Sequence, residues 1–343
     1  MIKKIVKVLL LLVVVLLAVF YESVWYGLNQ ARGQMNILFS AKPIEEFLSD
    51  EHYPDSLKNK ILLVQELREF SFDSLGLKRN ANYTTLFDQQ GKPILWIVTA
   101  SEPYELKAKE WCFPILGCFS YKGFFEYEKA VKEADKLKAK GMDVSIDEVE
   151  GWSTLGWFKD PILSNMLNRS VGNLANLIIH ELTHGTLYVK NNVEYNENLA
   201  SFVGDQGALI FLEQKYGVDS KEYEQYLNGK EMHEAYSQRV LRNGERLDSL
   251  YNSFSADLEI GEKERLKQAL LKDIRGDLQE FFDSYKKVNP RFYAKVEKLN
   301  NTYFLDYRRY RQKQDMFEQE FREKFDSDFK RYMEYLKDTY PSL

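Results

Sequence analysis

The pentapeptide His180-Glu-Leu-Thr-His184 constrains this chain more than any other stretch. On an α-helix, residues four apart lie one above the other, so His180 and His184 can direct two imidazoles at one metal ion. Glu181 sits beside that face, within reach of a metal-bound water but outside the coordination shell. The flanking residues predict the helix itself. Ser170 is placed to cap its N-terminus, and Leu174, Leu177, Ile178 and Leu182 follow at helical spacing. The chain has four histidines, His52, His180, His184 and His233, so a chance pair at this spacing is uncommon. Two imidazoles and a carboxylate on an otherwise apolar helix are also costly to bury without partners. The segment therefore predicts a Zn2+ site, with His180 and His184 as ligands and Glu181 as general base.

A catalytic zinc takes three protein ligands and keeps one position open. With no third histidine nearby, a carboxylate is required, and Glu194 and Glu197 are the nearest downstream. Glu197 is favoured, because Asn196-Glu-Asn-Leu-Ala200 reads as the start of a second helix that can hold a side chain rigidly over the first. That helix is expected to be capped by Asn196 and to end before Gly217. Its small residues Ala200, Ser201, Gly204 and Ala208 would let it approach the first helix closely. The plainer role for Glu197 is a charge favouring the helix N-terminus. Asp205 is expected to be solvent-exposed, although it could orient an imidazole. Tyr188, Tyr195 and His233 are candidates for oxyanion support, with no basis for choosing among them.

The N-terminus is a membrane signal. Lys3, Lys4 and Lys7 precede an apolar run from Val8 to Tyr21, with Trp25 and Tyr26 just beyond. Basic residues before such a run and aromatics after it match the two ends of a span. No small-x-small cleavage site follows, because Leu16 stands two places before Ala18, so an anchor over residues 1–26 is favoured over a cleaved signal peptide. Either way the body, residues 27–343, is expected outside the cytoplasm, in the cell envelope. The two cysteines of Trp111-Cys-Phe-Pro-Ile-Leu-Gly-Cys118 are then expected to form a Cys112–Cys118 disulfide, since Pro114 and Gly117 let the chain bend back. A net charge of −5 provides no basic excess for phosphates, which argues against a nucleic-acid partner.

The rest of the chain predicts an α+β, mainly α-helical fold, with a catalytic core over about 80–217 and a helical lobe over about 218–343. Residues 28–75 read as amphipathic helix, with His52 in a solvated turn. Tyr83–Phe87 and Pro93–Ala100 read as a hairpin joined through Asp88-Gln-Gln-Gly91. Phe124–Lys140 reads as a helix closed by Gly141, and Met142–Ile146 as a strand. Gly151–Pro161, rich in Gly and Trp, is either a packed connection or a wall of the substrate cleft. Phe317, Phe321, Phe325, Phe329, Tyr332 and Leu336 form the buried stripe of a last helix.

His180-Glu-Leu-Thr-His184, Leu187-Tyr-Val189 and Asn196-Glu-Asn-Leu-Ala-Ser-Phe-Val203 together resemble the zinc aminopeptidases of the bacterial envelope, a gluzincin-type family. The Cys112–Cys118 segment with Tyr121–Phe125, Ser153–Phe158, Asn300-Asn301, Gln30-Ala31 and Ala41–Ile44 extend the likeness over nearly the whole chain. The resemblance implies a zincin-like domain with His180, His184 and Glu197 as zinc ligands and Glu181 as catalytic base. Two features depart from the family: no lipid-attachment cysteine follows the leader, and the 197 − 184 = 13 spacing is shorter than in thermolysin-like gluzincins. The expected partners are a peptide or protein substrate and the membrane. An endopeptidase of envelope quality control is the alternative activity. A tethered scaffold with a structural zinc is the non-catalytic one, against which an intact Glu181 argues.

Overall fold

The computed structural model describes Lys7 and residues 20–340, apart from 114–116, 150–153, 155–157, 191, 286–289 and 312. The apolar run up to Val19 and most of the Gly/Trp segment lie outside the described residues. Among the described residues no helix is long and apolar enough to cross a membrane.

The N-terminal third is largely helical: α1 (Tyr21–Ser40), the short β1 (Lys42–Pro43), α2 (Ile44–Ser49) and α3 (Asp55–Asp73). Strands β2 (Thr85–Phe87), β3 (Trp96–Ser101), β4 (Trp111–Phe113), β5 (Gly117–Phe119) and β6 (Lys122–Phe124) follow. Then come α4 (Tyr127–Lys138), β7 (Asp143–Glu148) and β8 (Ile162–Leu163). The expected hairpin does not form. β2 pairs antiparallel with β1 and parallel with β8, whereas β3 lies between β6 and β7 in a separate antiparallel sheet. Local alternation identified both strands correctly, but their partners lie tens of residues away. β4 and β5 form a small hairpin in which Cys112 faces Cys118, and the two are joined as a disulfide.

Two helices form the centre, α5 (Val171–His184) and α6 (Val193–Tyr216). Ser170 caps α5 as expected, its hydroxyl accepting from Asn173 N at 3.3 Å. Leu174, Ile178, Ile179 and Leu182 have no exposed surface. Each such side chain stabilises the fold by roughly 1.5–3 kcal/mol. α6 begins earlier than expected: its cap is Asn192, whose side chain accepts from Tyr195 N at 3.2 Å, and Asn196 lies inside the helix. Glycine at 204 lets the two helices meet. A Cβ there would lie 2.9 Å from Asn176 O and 3.3 Å from His180 Cβ.

The remaining helices are α7 (Lys221–Asn252), α8 (Ile260–Asp283), α9 (Pro290–Glu297), α10 (Asn301–Arg311), α11 (Gln314–Phe325) and α12 (Phe329–Thr339). The aromatic stripe belongs to two helices, not one, because Asp326 and Ser327 break it with φ of 50° and 62°. Phe317, Phe321, Phe329, Tyr332 and Leu336 are buried, as the stripe predicted, in the same apolar core as α3, α5 and α6, with Phe202 of α6 among them. α7–α10 surround a second core, and the sheet β6–β3–β7 packs on α4 around a third.

An ion pair between a buried lysine and a half-buried aspartate joins the second and third cores. Lys267 Nζ of α8 lies 2.8 Å from Asp143 Oδ1 of β7 and donates to Pro103 O at 2.9 Å. Asn301 N donates to the other Asp143 oxygen at 2.9 Å, and Tyr251 OH donates to Asn301 Oδ1 at 2.8 Å. Asn300 adds a bond to Val144 O and accepts from Thr302 N. The Asn300-Asn301 pair thus fastens the helical lobe to the edge of the sheet.

Candidate metal centre

His180 and His184 occupy the last turn of α5, and Glu197 stands in the second turn of α6. The close seam between these helices brings all three side chains to one point. His180 Nε2 and His184 Nε2 are 3.2 Å apart, and Glu197 Oε2 lies 3.4 Å from the first and 3.5 Å from the second. A tetrahedral ion with bonds near 2.0–2.1 Å separates its ligand atoms by about 3.3–3.4 Å. The observed triangle has that size, so these three residues can hold one metal ion. Glu194, the rival third ligand, is not part of this cluster and pairs with Lys313 at 3.0 Å. A second group of possible ligand residues, Glu110 with Cys112 and Cys118, is exposed, and its sulfurs are committed to the disulfide.

The loop between the two helices is pinned from both sides, which fixes Glu197 against His184. Asn196 Oδ1 accepts from Val189 N and its amide donates to Val189 O, both at 2.8 Å. Thr186 Oγ1 donates to Leu182 O at 2.9 Å and accepts from Lys78 N at 3.0 Å. Asn196 is therefore a clamp on the loop, a role its sequence position did not reveal. Asp205, expected in solvent, is buried on the far side of the seam. It accepts from Asn176 Nδ2 at 2.7 Å and from Tyr226 OH at 3.2 Å.

Burial and charge are balanced within this cluster. Burial would raise the Glu197 carboxyl, but the His184 charge and hydrogen bonds from both imidazoles hold it well below the usual carboxylate range. Burial would lower His184, yet the Glu197 charge and hydrogen bond, with the Glu181 charge, keep it above its ordinary value. His184 Nδ1 is buried with no hydrogen-bond partner among the described residues. Glu181 is buried beside the triangle, and that burial pushes its carboxyl up, against the pull of the two imidazoles. A carboxylate with a raised affinity for protons is suited to accept one from a water molecule.

Residues 25–340 match the sequence model of a family described as "Putative aminopeptidase". The chain belongs to this family. No curated protein and no solved structure matches it. Within this aminopeptidase family member the oxyanion candidates separate by position. The Tyr188 ring lies 6.0 Å from that of His184. Tyr195 turns away into Phe317 and Tyr340, and His233 packs near Tyr307 in the helical lobe. The structure adds Tyr83, which the sequence did not single out. It is fully buried with φ of 63°, its phenol has no hydrogen-bond partner among the described residues, and the Glu181 charge acts on it. Only the folded context reveals it: an isolated tyrosine before a strand carries no local signal.

A cleft of about 1100 Å3 opens between the segment Glu102–Glu110 and the first turn of α6 at Val193 and Glu194. Its walls include none of the three triangle residues, so it flanks the centre instead of enclosing it. Glu194 stands one turn before Glu197 on the same helix, which puts the two on neighbouring surface.

Proposed function

We propose that this protein is a zinc-dependent peptidase, acting as an aminopeptidase, tethered to a membrane by its N-terminal apolar run with the body outside the cytoplasm. The observation that carries the reading is the triangle of His180 Nε2, His184 Nε2 and Glu197 Oε2, with edges of 3.2, 3.4 and 3.5 Å, beside a buried Glu181. Two neutral imidazoles and one carboxylate are the donor set of a catalytic zinc with an open fourth position. Zn2+ held there would supply Lewis acidity to the scissile carbonyl and bring the pKa of water towards about 7.

The chain's own residues do the rest. Glu181 accepts the proton of the attacking water and returns it to the leaving amine. Its buried surroundings raise its proton affinity, which suits both halves of that exchange. Tyr188, whose ring lies 6.0 Å from that of His184, is the nearest of the three tyrosine and histidine candidates for supporting the developing oxyanion. The flanking cleft carries the carboxylates of Glu102, Glu105, Glu110 and Glu194 together with the cations of Lys107, Lys109 and Arg308, a mixed surface on which a glutamate could meet a substrate's free α-amine. The family description supports the aminopeptidase over the endopeptidase reading.

A panel of peptides with free and acetylated N-termini, assayed with and without chelator, tests the proposal. The expected result is cleavage of free-amine peptides only, lost with chelator and restored by Zn2+. Equal cleavage of capped peptides would replace the aminopeptidase reading by the endopeptidase one. Chelator-resistant activity would overturn the zinc reading.

A further inference from the structure

The helix that follows the apolar run carries an apolar face that the protein itself leaves uncovered. Tyr21, Trp25, Leu28, Arg32, Met35 and Phe39 recur along α1 at alternating steps of four and three, so they form one stripe. The five apolar members are 63%, 62%, 58%, 37% and 79% exposed. The helix cannot rotate to hide them, because its opposite face is fastened to the body. Tyr26 OH and Gln30 Nε2 both donate to Gly123 O at 2.9 Å, and Ile37 is buried.

Three observations identify what covers this stripe. First, it starts at Tyr21, the last residue of the apolar run from Val8, so any membrane holding that run is adjacent to its first turn. Phe20 departs from helical dihedrals, with φ of −100° and ψ of 21°, so α1 can take a direction of its own. Second, the residue types are those of the lipid–water boundary: aromatic at Tyr21, Trp25 and Phe39, with one arginine in mid-stripe that can reach a headgroup phosphate. Third, the groove beside Tyr21 and Trp25 is lined by four lysines and three glutamates; Lys122 and Lys129 pair with Glu133 and Glu126, while Lys132 and Lys136 have no carboxylate partner among the described residues. A second copy of the chain is the poorer occupant. The four-three spacing fits a helix–helix seam, but it would press two Arg32 guanidinium groups together at the middle of that seam.

We propose that the outward stripe of α1 lies in the headgroup layer of an anionic bilayer, holding the body at a fixed orientation on the membrane. The inference rests on reading the preceding run as a membrane anchor. The interaction is an amphipathic helix lying in the interface plane, reinforced by a short basic flank.

Full-length protein in vesicles of phosphatidylcholine and phosphatidylglycerol provides the test. Single cysteines replace Val14, Leu28, Met35, Phe39 or, far away in the helical lobe, Ser253, and each is labelled with a nitroxide while the native disulfide stays closed. Collision with oxygen reports lipid, and collision with a water-soluble nickel chelate reports solvent. The expected result is oxygen-dominated collision at 14, 28, 35 and 39, and nickel-dominated collision at 253. Leu28→Lys and Met35→Lys together should shift the 39 probe to solvent without changing peptidase activity. Solvent readings at 28, 35 and 39 with a lipid reading at 14 overturn the stripe alone. A solvent reading at 14 as well overturns both the anchor and the stripe. Spin–spin broadening at 28 and 35 that vanishes on dilution with unlabelled protein would assign the stripe to a second copy and overturn the proposal.

Discussion

Replacing Gly204 by alanine tests the packing that brings His180, His184 and Glu197 together. The added Cβ would sit 2.9 Å from the backbone carbonyl of Asn176, where ordinary contacts begin at 3.4 Å. That oxygen cannot swing aside like a side-chain tip, so α5 and α6 must part by about 0.5 Å. Overpacking of this kind costs typically 1–3 kcal/mol. Alanine is also the better helix former by about 1 kcal/mol, which offsets part of the loss. Gly229 of α7 supplies the control, since a Cβ there meets nothing within 4 Å. Gly229→Ala should therefore gain the propensity term alone. The two variants should differ by about 1–3 kcal/mol, or roughly 2–6 °C in Tm for a chain of this size. The separation also stretches the 3.4 Å edge between His180 and Glu197, so zinc affinity should fall on the order of 10–100-fold in Gly204→Ala only. Thermal unfolding and competition with a zinc-sensitive dye measure the two effects. A Gly204→Ala protein as stable as Gly229→Ala, with zinc affinity unchanged, would refute the close seam and with it the placement of Glu197.

Three further outcomes are expected. Glu181→Gln should keep its zinc and fold but lose peptidase activity by about 10² or more, whereas Glu197→Ala should lose zinc and activity together; metal analysis beside kinetics separates them. Asp143→Asn leaves Lys267 buried without its carboxylate, which should cost about 3–5 kcal/mol, read by chemical denaturation. Changing Asp143→Leu and Lys267→Met together should recover much of that loss. In chelator, the raised His184 contributes stability that is full below about pH 6.5 and lost as pH rises through its folded value. The depressed Glu197 contributes stability above about pH 4.3 that is lost on acidification. The Tm of the metal-free protein should therefore peak between those limits. Zinc added near pH 6.5 should release a proton, measurable as acidification of a weakly buffered sample.

What was legible in the sequence was local. The spacing of His180 and His184, the Ser170 cap and the apolar positions between them are properties of one helix, and they are found as read. Glu197 followed from the coordination chemistry of zinc, and the structure places its carboxylate against both imidazoles. Errors arose where a residue's role depends on a distant partner. Asn196 looked like a cap but clamps Val189, and Asp205 looked exposed but meets Asn176 and Tyr226. Tyr83–Phe87 and Pro93–Ala100 looked like partners, but β2 and β3 belong to different sheets. The break at Asp326 and Ser327 went unseen because left-handed backbone was carried there by residues other than glycine.

The packing of α11 and α12 behind α6 bears on when the site comes into being. Phe202, five residues past Glu197, touches Phe317, Phe321, Phe329 and Tyr332, and Asn198 accepts from Lys313 N across 115 positions of chain. Contacts that close such long loops form slowly and late. A chain made from its N-terminus outward must synthesise some 120 residues after Glu197 before that helix acquires its backing. The side chains of His180, His184 and Glu197 should therefore reach their final spacing near the end of folding, so that the candidate centre is assembled only once the C-terminal helices have been made.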